Sequence, residues 1–179
     1  MIEGLFVPQF TVFNKDQKVD YVATKEHGAW LLSHGVTGLV PFGTFGEGSS
    51  LSLAEKKRVT TDLLNVINGK MLIPTIISNS LAEIQEYLEF AEELPIAGVM
   101  VSPPSYYRPV TDENLIEFYR LIARKTTHPT FDPAQNTLNP LTGKQCDPAV
   151  HRTLHAQPPG QLCNACGQPQ RLCHCPRAA

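Results

Sequence analysis

The sequence predicts an α/β fold built on a parallel sheet, arranged as a barrel or as a doubly wound sheet. Three observations carry this. Between Gly4 and Thr127 an apolar run and a helical stretch alternate four times, at the spacing that a strand, a crossover helix and a parallel strand demand. The apolar runs are continuous rather than alternating, as strands covered on both faces should be. Two of the helical stretches open with serine and glutamate three residues apart, a capping box in which each side chain satisfies an orphan backbone donor.

The first run is Leu5-Phe6-Val7-Pro8, and its helix closes at Gly35 after Trp30-Leu31-Leu32-Ser33-His34, where glycine accepts the left-handed conformation of a helix end. The second run, Gly38 to Phe42, leads to the box Ser52-Leu53-Ala54-Glu55, with Gly69 marking the helix end after Val66-Ile67-Asn68. The third, Met71 to Ile77, leads to the second box, Ser80-Leu81-Ala82-Glu83. The fourth, Ala97 to Val101, completes four readable β/α units before Thr127. Beyond that point His128-Pro129-Thr130-Phe131-Asp132-Pro133 replaces the expected fifth strand, since proline removes ladder donors and no apolar run exists there. The expected organisation is residues 1–127 as half of a barrel and residues 128–179 as a divergent, poorly ordered tail. That tail holds eight of the fifteen prolines and all five cysteines. A complete eight-unit barrel takes ~250 residues. The expectation is therefore an unclosed sheet whose two exposed edges favour self-association.

Composition narrows the partners. The chain has 179 residues, 42% of them apolar, with 15 basic and 17 acidic residues scattered without blocks and a formal charge of −2. No sequence-wide field favours nucleic acid or an anionic membrane, so small molecules or other subunits are the expected partners. Met1 to Phe10 carries no basic start or cleavage site, and no apolar stretch approaches the roughly eighteen residues of a membrane span. A cytoplasmic protein is expected.

Two segments could carry chemistry. Gly43-Thr44-Phe45-Gly46-Glu47-Gly48-Ser49-Ser50 lies where the second strand ends and a capped helix begins. Glycines let a ligand approach the backbone, and donors near a helix start, with the Thr44 hydroxyl, can hold a carboxylate or phosphate. The plain alternative is a glycine turn. Pro103-Pro104-Ser105-Tyr106-Tyr107-Arg108-Pro109 follows the fourth strand and falls on the same rim. A phenol there can pass protons; the alternative is a pair of aromatics packing a subunit contact.

These segments, GVTGLVPFGTFGEGSSLSLAEKKRV at 35–59 and GVMVSPPSYYRP at 98–109, are where the chain resembles the dihydrodipicolinate synthase and N-acetylneuraminate lyase family, the class I pyruvate aldolases. The resemblance covers Gly4 to about Thr127. It implies a partial (β/α)8 TIM barrel in which pyruvate forms a Schiff base with a lysine, usually assembled as a dimer of dimers. Thr44 matches the threonine of the family's proton relay. Gly43, Thr44, Phe45, Gly46 and Glu47 match the substrate-carboxylate loop, although Phe45 leaves only the backbone part of that position's contacts. Tyr106 matches the relay tyrosine that reaches across the dimer contact, with Tyr107 as the fallback.

The departures bear on substrate and activity. Where the family carries Tyr-Asn-x-Pro-x-x-Thr-Gly, this chain has Asn136 to Gly143 without the tyrosine and one residue short. Leu141 stands where dihydrodipicolinate synthases tend to carry an arginine, which tips the substrate toward a 2-keto-3-deoxy sugar acid. The family's lysine is missing, for the last lysine is Lys144, in a segment without strand character; an iminium needs a neutral amine on a rigid rim. Cys163, Cys166, Cys173 and Cys175 could bind zinc as four thiolates; the alternative is accidental cysteines in a misread tail. The remaining histidines, including His27, His34 and His128, read as surface residues.

The resemblance thus implies a lyase acting on a small 2-keto acid, a homo-oligomer without metal or organic cofactor. It would cleave a 2-keto-3-deoxy sugar acid to pyruvate and an aldehyde. A truncated or frame-disrupted chain without the lysine is expected to be impaired. The alternatives are a non-enzymatic half-barrel fragment or zinc-stabilised binding module, and a dihydrodipicolinate synthase or aromatic hydratase-aldolase.

Overall fold

A computed structural model describes residues 4–106 and 109–131. Strands and helices alternate as β1 (Phe6–Pro8), α1 (Tyr21–Ser33), β2 (Gly38–Val40), α2 (Leu53–Leu64), β3 (Met71–Leu72), β4 (Thr75–Ile76), α3 (Leu81–Glu92), β5 (Val99–Val101), α4 (Asp112–Ala123) and β6 (Thr130–Phe131). Every pairing between strands is parallel, in the orders β1-β2-β3 and β4-β5-β6.

The single apolar run expected at 71–77 forms two short strands because Pro74 carries no N–H. Sheet bonding nevertheless continues through it. Ile73 and Thr75 donate to Leu39 and Pro41 at 2.9 Å on one side, and on the other Ala97 donates to Leu72 at 2.9 Å and Met100 to Pro74 at 2.8 Å. Neighbouring strands follow sequence order throughout the described residues, with none of the order reversal that marks a doubly wound sheet. This is the start of a barrel.

Helices cover one face. Leu39, Leu72, Ile76, Val99 and Val101 from the strands join Leu63, Ile84, Tyr87, Leu88 and Ile122 from the helices in one buried cluster, each such side chain contributing about 1.5–3 kcal/mol. On the opposite face Ile73 and Phe131 are buried, with Phe6, Val40 and Met100 only partly so. Full cover on both faces, expected from the continuous runs, is therefore met only on the helix side among the described residues.

Helix boundaries correct two further expectations. Gly35 closes α1 as expected, at φ +85°. α2 instead ends at Leu64, capped by Asn65, and Asn68-Gly69 forms a separate left-handed turn at φ 44° and 75°. Ser52 and Glu55 make the complete capping box. Ser80 only half makes it: its hydroxyl accepts from Glu83 N–H, while the Glu83 carboxylate turns to Ser78 at 2.7 Å.

The fifth strand position is also occupied, contrary to the sequence expectation. Val99 and Met100 pair with Thr130 and Phe131, and Phe131 is 1% exposed. The flanking proline does no harm because it is used as an acceptor: Val99 N–H donates to the Pro129 carbonyl at 2.9 Å. Glu92 at the end of α3 fixes the approach, accepting from the Thr126 hydroxyl at 2.8 Å, from Thr127 N–H at 3.1 Å and from the Thr127 hydroxyl. His128 is half-buried, its Nε2 3.0 Å from the Ala91 carbonyl, and is not the surface residue expected. His27 departs likewise, with a buried Nδ1. The sheet thus continues past the Thr127 boundary. Tyr107, the 136–143 stretch, Lys144, Cys163, Cys166, Cys173 and Cys175 lie outside the described residues. Among the described residues no helix is long and apolar enough to cross a membrane.

Candidate active site

The loop after β2 is held by its own backbone. Gly46 and Gly48 N–H both donate to the Gly43 carbonyl, at 3.0 and 3.2 Å, and Glu47 N–H donates to Thr44 at 3.2 Å. Phe42 enters the loop at φ 64° while fully buried, and Glu47 leaves it at φ 50°, conformations that cost on the order of 1–3 kcal/mol each for non-glycine residues. A Cβ on Gly48 would overlap the Phe42 carbonyl oxygen, and one on Gly46 would lie 2.7 Å from the Gln9 carbonyl oxygen. Those two glycines therefore serve the loop's packing on itself and on the segment that follows β1, not the approach of a ligand. Gly43 is different, with only Thr75 Oγ1 within reach of a Cβ, at 3.9 Å.

Donors are left over at the start of the loop. Among the described residues, the backbone N–H groups of Gly43, Thr44 and Phe45 make no hydrogen bond. Thr44 and Phe45 are exposed, Phe45 at 65% with its ring edge-on to Phe10 at 6.1 Å.

A cavity of about 520 Å³ opens beside this loop at the C-terminal ends of the strands. Thr44, Glu47, Ser49 and Ser50 line it from the loop, and Lys56 from α2. Ser78 and Asn79 line it from the turn after β4, with Glu83 from α3 and Ser105 from the segment after β5. The structure thus brings Thr44 and Glu47 together with the residue preceding Tyr106. Tyr106 itself is 78% exposed and outside the lining.

Lys56, Ser78, Asn79 and Glu83 were not anticipated from the sequence. Lys56 has a side chain only 3% exposed, and its Nζ stands 3.6 Å from Glu83 Oε1. Its position has a local signal, for Lys56, Val59, Thr60 and Leu63 share the buried face of α2 at helical spacing. One ammonium and two carboxylates, Glu47 and Glu83, make the cavity wall net negative. An anion here would be held by the loop amides rather than by side-chain charge.

A family model described as the dihydrodipicolinate synthetase family matches residues 1–154. The chain belongs to this family. The match runs beyond Thr127, as the strand at Thr130–Phe131 does. The 4-hydroxy-tetrahydrodipicolinate synthase of Methanococcus maripaludis is 31% identical over 129 residues, 72% of this chain and 44% of that protein. A probable mitochondrial 4-hydroxy-2-oxoglutarate aldolase of Emericella nidulans is 28% identical over 69% of this chain and 42% of its own length. Among solved structures, a variant of the Sulfolobus solfataricus 2-keto-3-deoxygluconate aldolase matches with a TM-score of 0.76 at 25% identity, over 84% of this chain and 50% of that one. The chain spans about half the length of the family members it matches.

Proposed function

We propose that the chain carries the carboxylate-binding rim of a pyruvate-dependent lyase of this family. The whole reaction is the retro-aldol cleavage of a 2-keto-3-deoxy sugar acid to pyruvate and an aldehyde, and these 179 residues bind the 2-keto acid without turning it over. The observation that carries the reading is the run of uncommitted amides on Gly43, Thr44 and Phe45, beside a polar cavity at the strand ends. Within the loop from Gly43 to Glu47, the free amides at its start then hold the substrate carboxylate. The Thr44 hydroxyl and the Tyr106 phenol relay the proton, with Tyr107 as the substitute. The exposure of Tyr106 supports its use across a contact between copies of a homo-oligomer.

Imine formation needs an amine that can give up its proton. The described lysine on the cavity wall, Lys56, is engaged by the Glu83 carboxylate, and the last lysine in the sequence is Lys144. Leu141, in place of an arginine, supports a sugar acid over a dicarboxylate, as does the likeness to the Sulfolobus aldolase. A second reading, dihydrodipicolinate synthesis, is favoured by the 31% identity to the Methanococcus synthase. Borohydride reduction in the presence of pyruvate, read by mass spectrometry, tests the lysine argument: the chain should stay unmodified. A pyruvyl adduct on any lysine would sink the non-covalent reading and name the amine.

A further inference from the structure

The loops that present Thr44 and Tyr106 are joined by side chains that the proposed chemistry leaves unused. After β5 the last sheet bond is Ser102 N–H to the Ile76 carbonyl at 2.9 Å. Pro103 and Pro104 follow and have no N–H to offer. The next backbone donors are those of Ser105 and Tyr106, and one atom takes both: Asn79 Oδ1, at 2.9 and 3.0 Å. An amide oxygen has two lone pairs, so a single asparagine can fix two successive N–H groups.

The turn that carries Asn79 is itself anchored. Ser80 N–H donates to the Ser78 hydroxyl at 3.0 Å, and that hydroxyl donates to Glu83 Oε2 at 2.7 Å. The other Glu83 oxygen faces the buried Lys56 ammonium, on the helix that begins where the Thr44 loop ends. A continuous line of polar contacts thus runs from α2 through Glu83 and Ser78 to the turn that holds the Tyr106 backbone.

We propose that Asn79 is a positioning residue: its side-chain oxygen sets where Tyr106 stands on the rim, and Ser78, Glu83 and Lys56 hold the turn that carries it. The assignment rests on the proposed function only in giving the Tyr106 phenol a use. Asn79 is exposed, so its replacement should leave the core intact.

Amide hydrogen exchange on the full chain, comparing the wild type with N79A and N79D, tests the proposal. In N79A the Ser105 and Tyr106 amides should exchange roughly ten-fold faster, the loss of about one net hydrogen bond each. The Val99–Val101 amides should accelerate less than these two, and the melting temperature should fall by no more than the several degrees that two such bonds cost. N79D keeps an acceptor and should restore protection at both amides. Unchanged exchange in N79A would overturn the proposal, as would an equal acceleration through β5, which would mean general loosening. Pyruvate titration of the same samples keeps the two readings apart: a wild type that does not bind pyruvate defeats the proposed function, while the exchange data still decide the role of Asn79.

Discussion

Two loops share the rim and are held in opposite ways. The loop at 43–50 closes on its own backbone, with Gly46 and Gly48 pressed against Gln9 and Phe42. The segment at 102–106 has two prolines and no such internal bonds at their positions, and relies on Asn79 from the neighbouring turn. One loop is braced largely by bonds within it, with Thr11 and Gln9 backing it from outside; the other takes its backbone bonds to Asn79 from a neighbouring turn. Changes inside the first should therefore be severe and position-specific, whereas the second should respond to changes elsewhere.

The largest expected effect separates glycines within the first loop. Gly48→Ala drives a Cβ into the Phe42 carbonyl and should cost on the order of 3 kcal/mol, as overpacking does. Gly43→Ala meets nothing nearer than 3.9 Å and should stay within about 0.5 kcal/mol. Urea unfolding measures both, and equal losses would break the distinction between packing glycines and the glycine that faces open space.

A smaller difference separates the two helix starts. Glu55→Ala removes the carboxylate that accepts from both the Ser52 N–H and the Ser52 hydroxyl and should cost about 0.5–1 kcal/mol. Glu83→Ala leaves the buried Lys56 without its carboxylate. It should cost about 2 kcal/mol, below the range for a fully buried pair because Glu83 is itself partly exposed. If Glu55→Ala proved the costlier change, the outside support of the second loop would not run through Glu83.

The smallest effect is on acid stability. The Glu92 carboxyl lies below its ordinary range, first because the Thr127 hydroxyl bonds to it, with further help from Thr126, the Thr127 amide and His128. A carboxylate with a folded value below its unfolded one, about 4.3, contributes stability that is fully present above that pH. The contribution is lost as pH falls through the folded value. Solvent screening keeps it under about 1 kcal/mol. Glu92→Gln should flatten this part of the acid-unfolding curve, and an unchanged curve would show that the tie before β6 is not carried by the carboxylate.

The same contrast explains what could be read from the sequence. The four β/α units were legible because Leu39, Leu72, Val99 and their neighbours form continuous runs, and the turn that places Thr44 and Glu47 beside the cavity was legible from its glycine pattern. β6 was not, since two residues make no run and Pro129 reads as a breaker until its carbonyl is seen accepting from Val99. Glu83 looked like half of a capping box, but a serine two residues before Ser80 takes its carboxylate. Asn79 gave little local sign of its role, which depends on a segment far away in sequence, and helical spacing marks Lys56 as buried without naming Glu83 as its partner.

The most direct test of the account is an amide-resolved titration of the full chain with pyruvate. The Thr44 and Phe45 amides should shift saturably and by more than those of Gly46, Glu47 and Gly48, whose donors the loop already uses. Saturable shifts that bypass Thr44 and Phe45, or no shift at any pyruvate concentration, would contradict it.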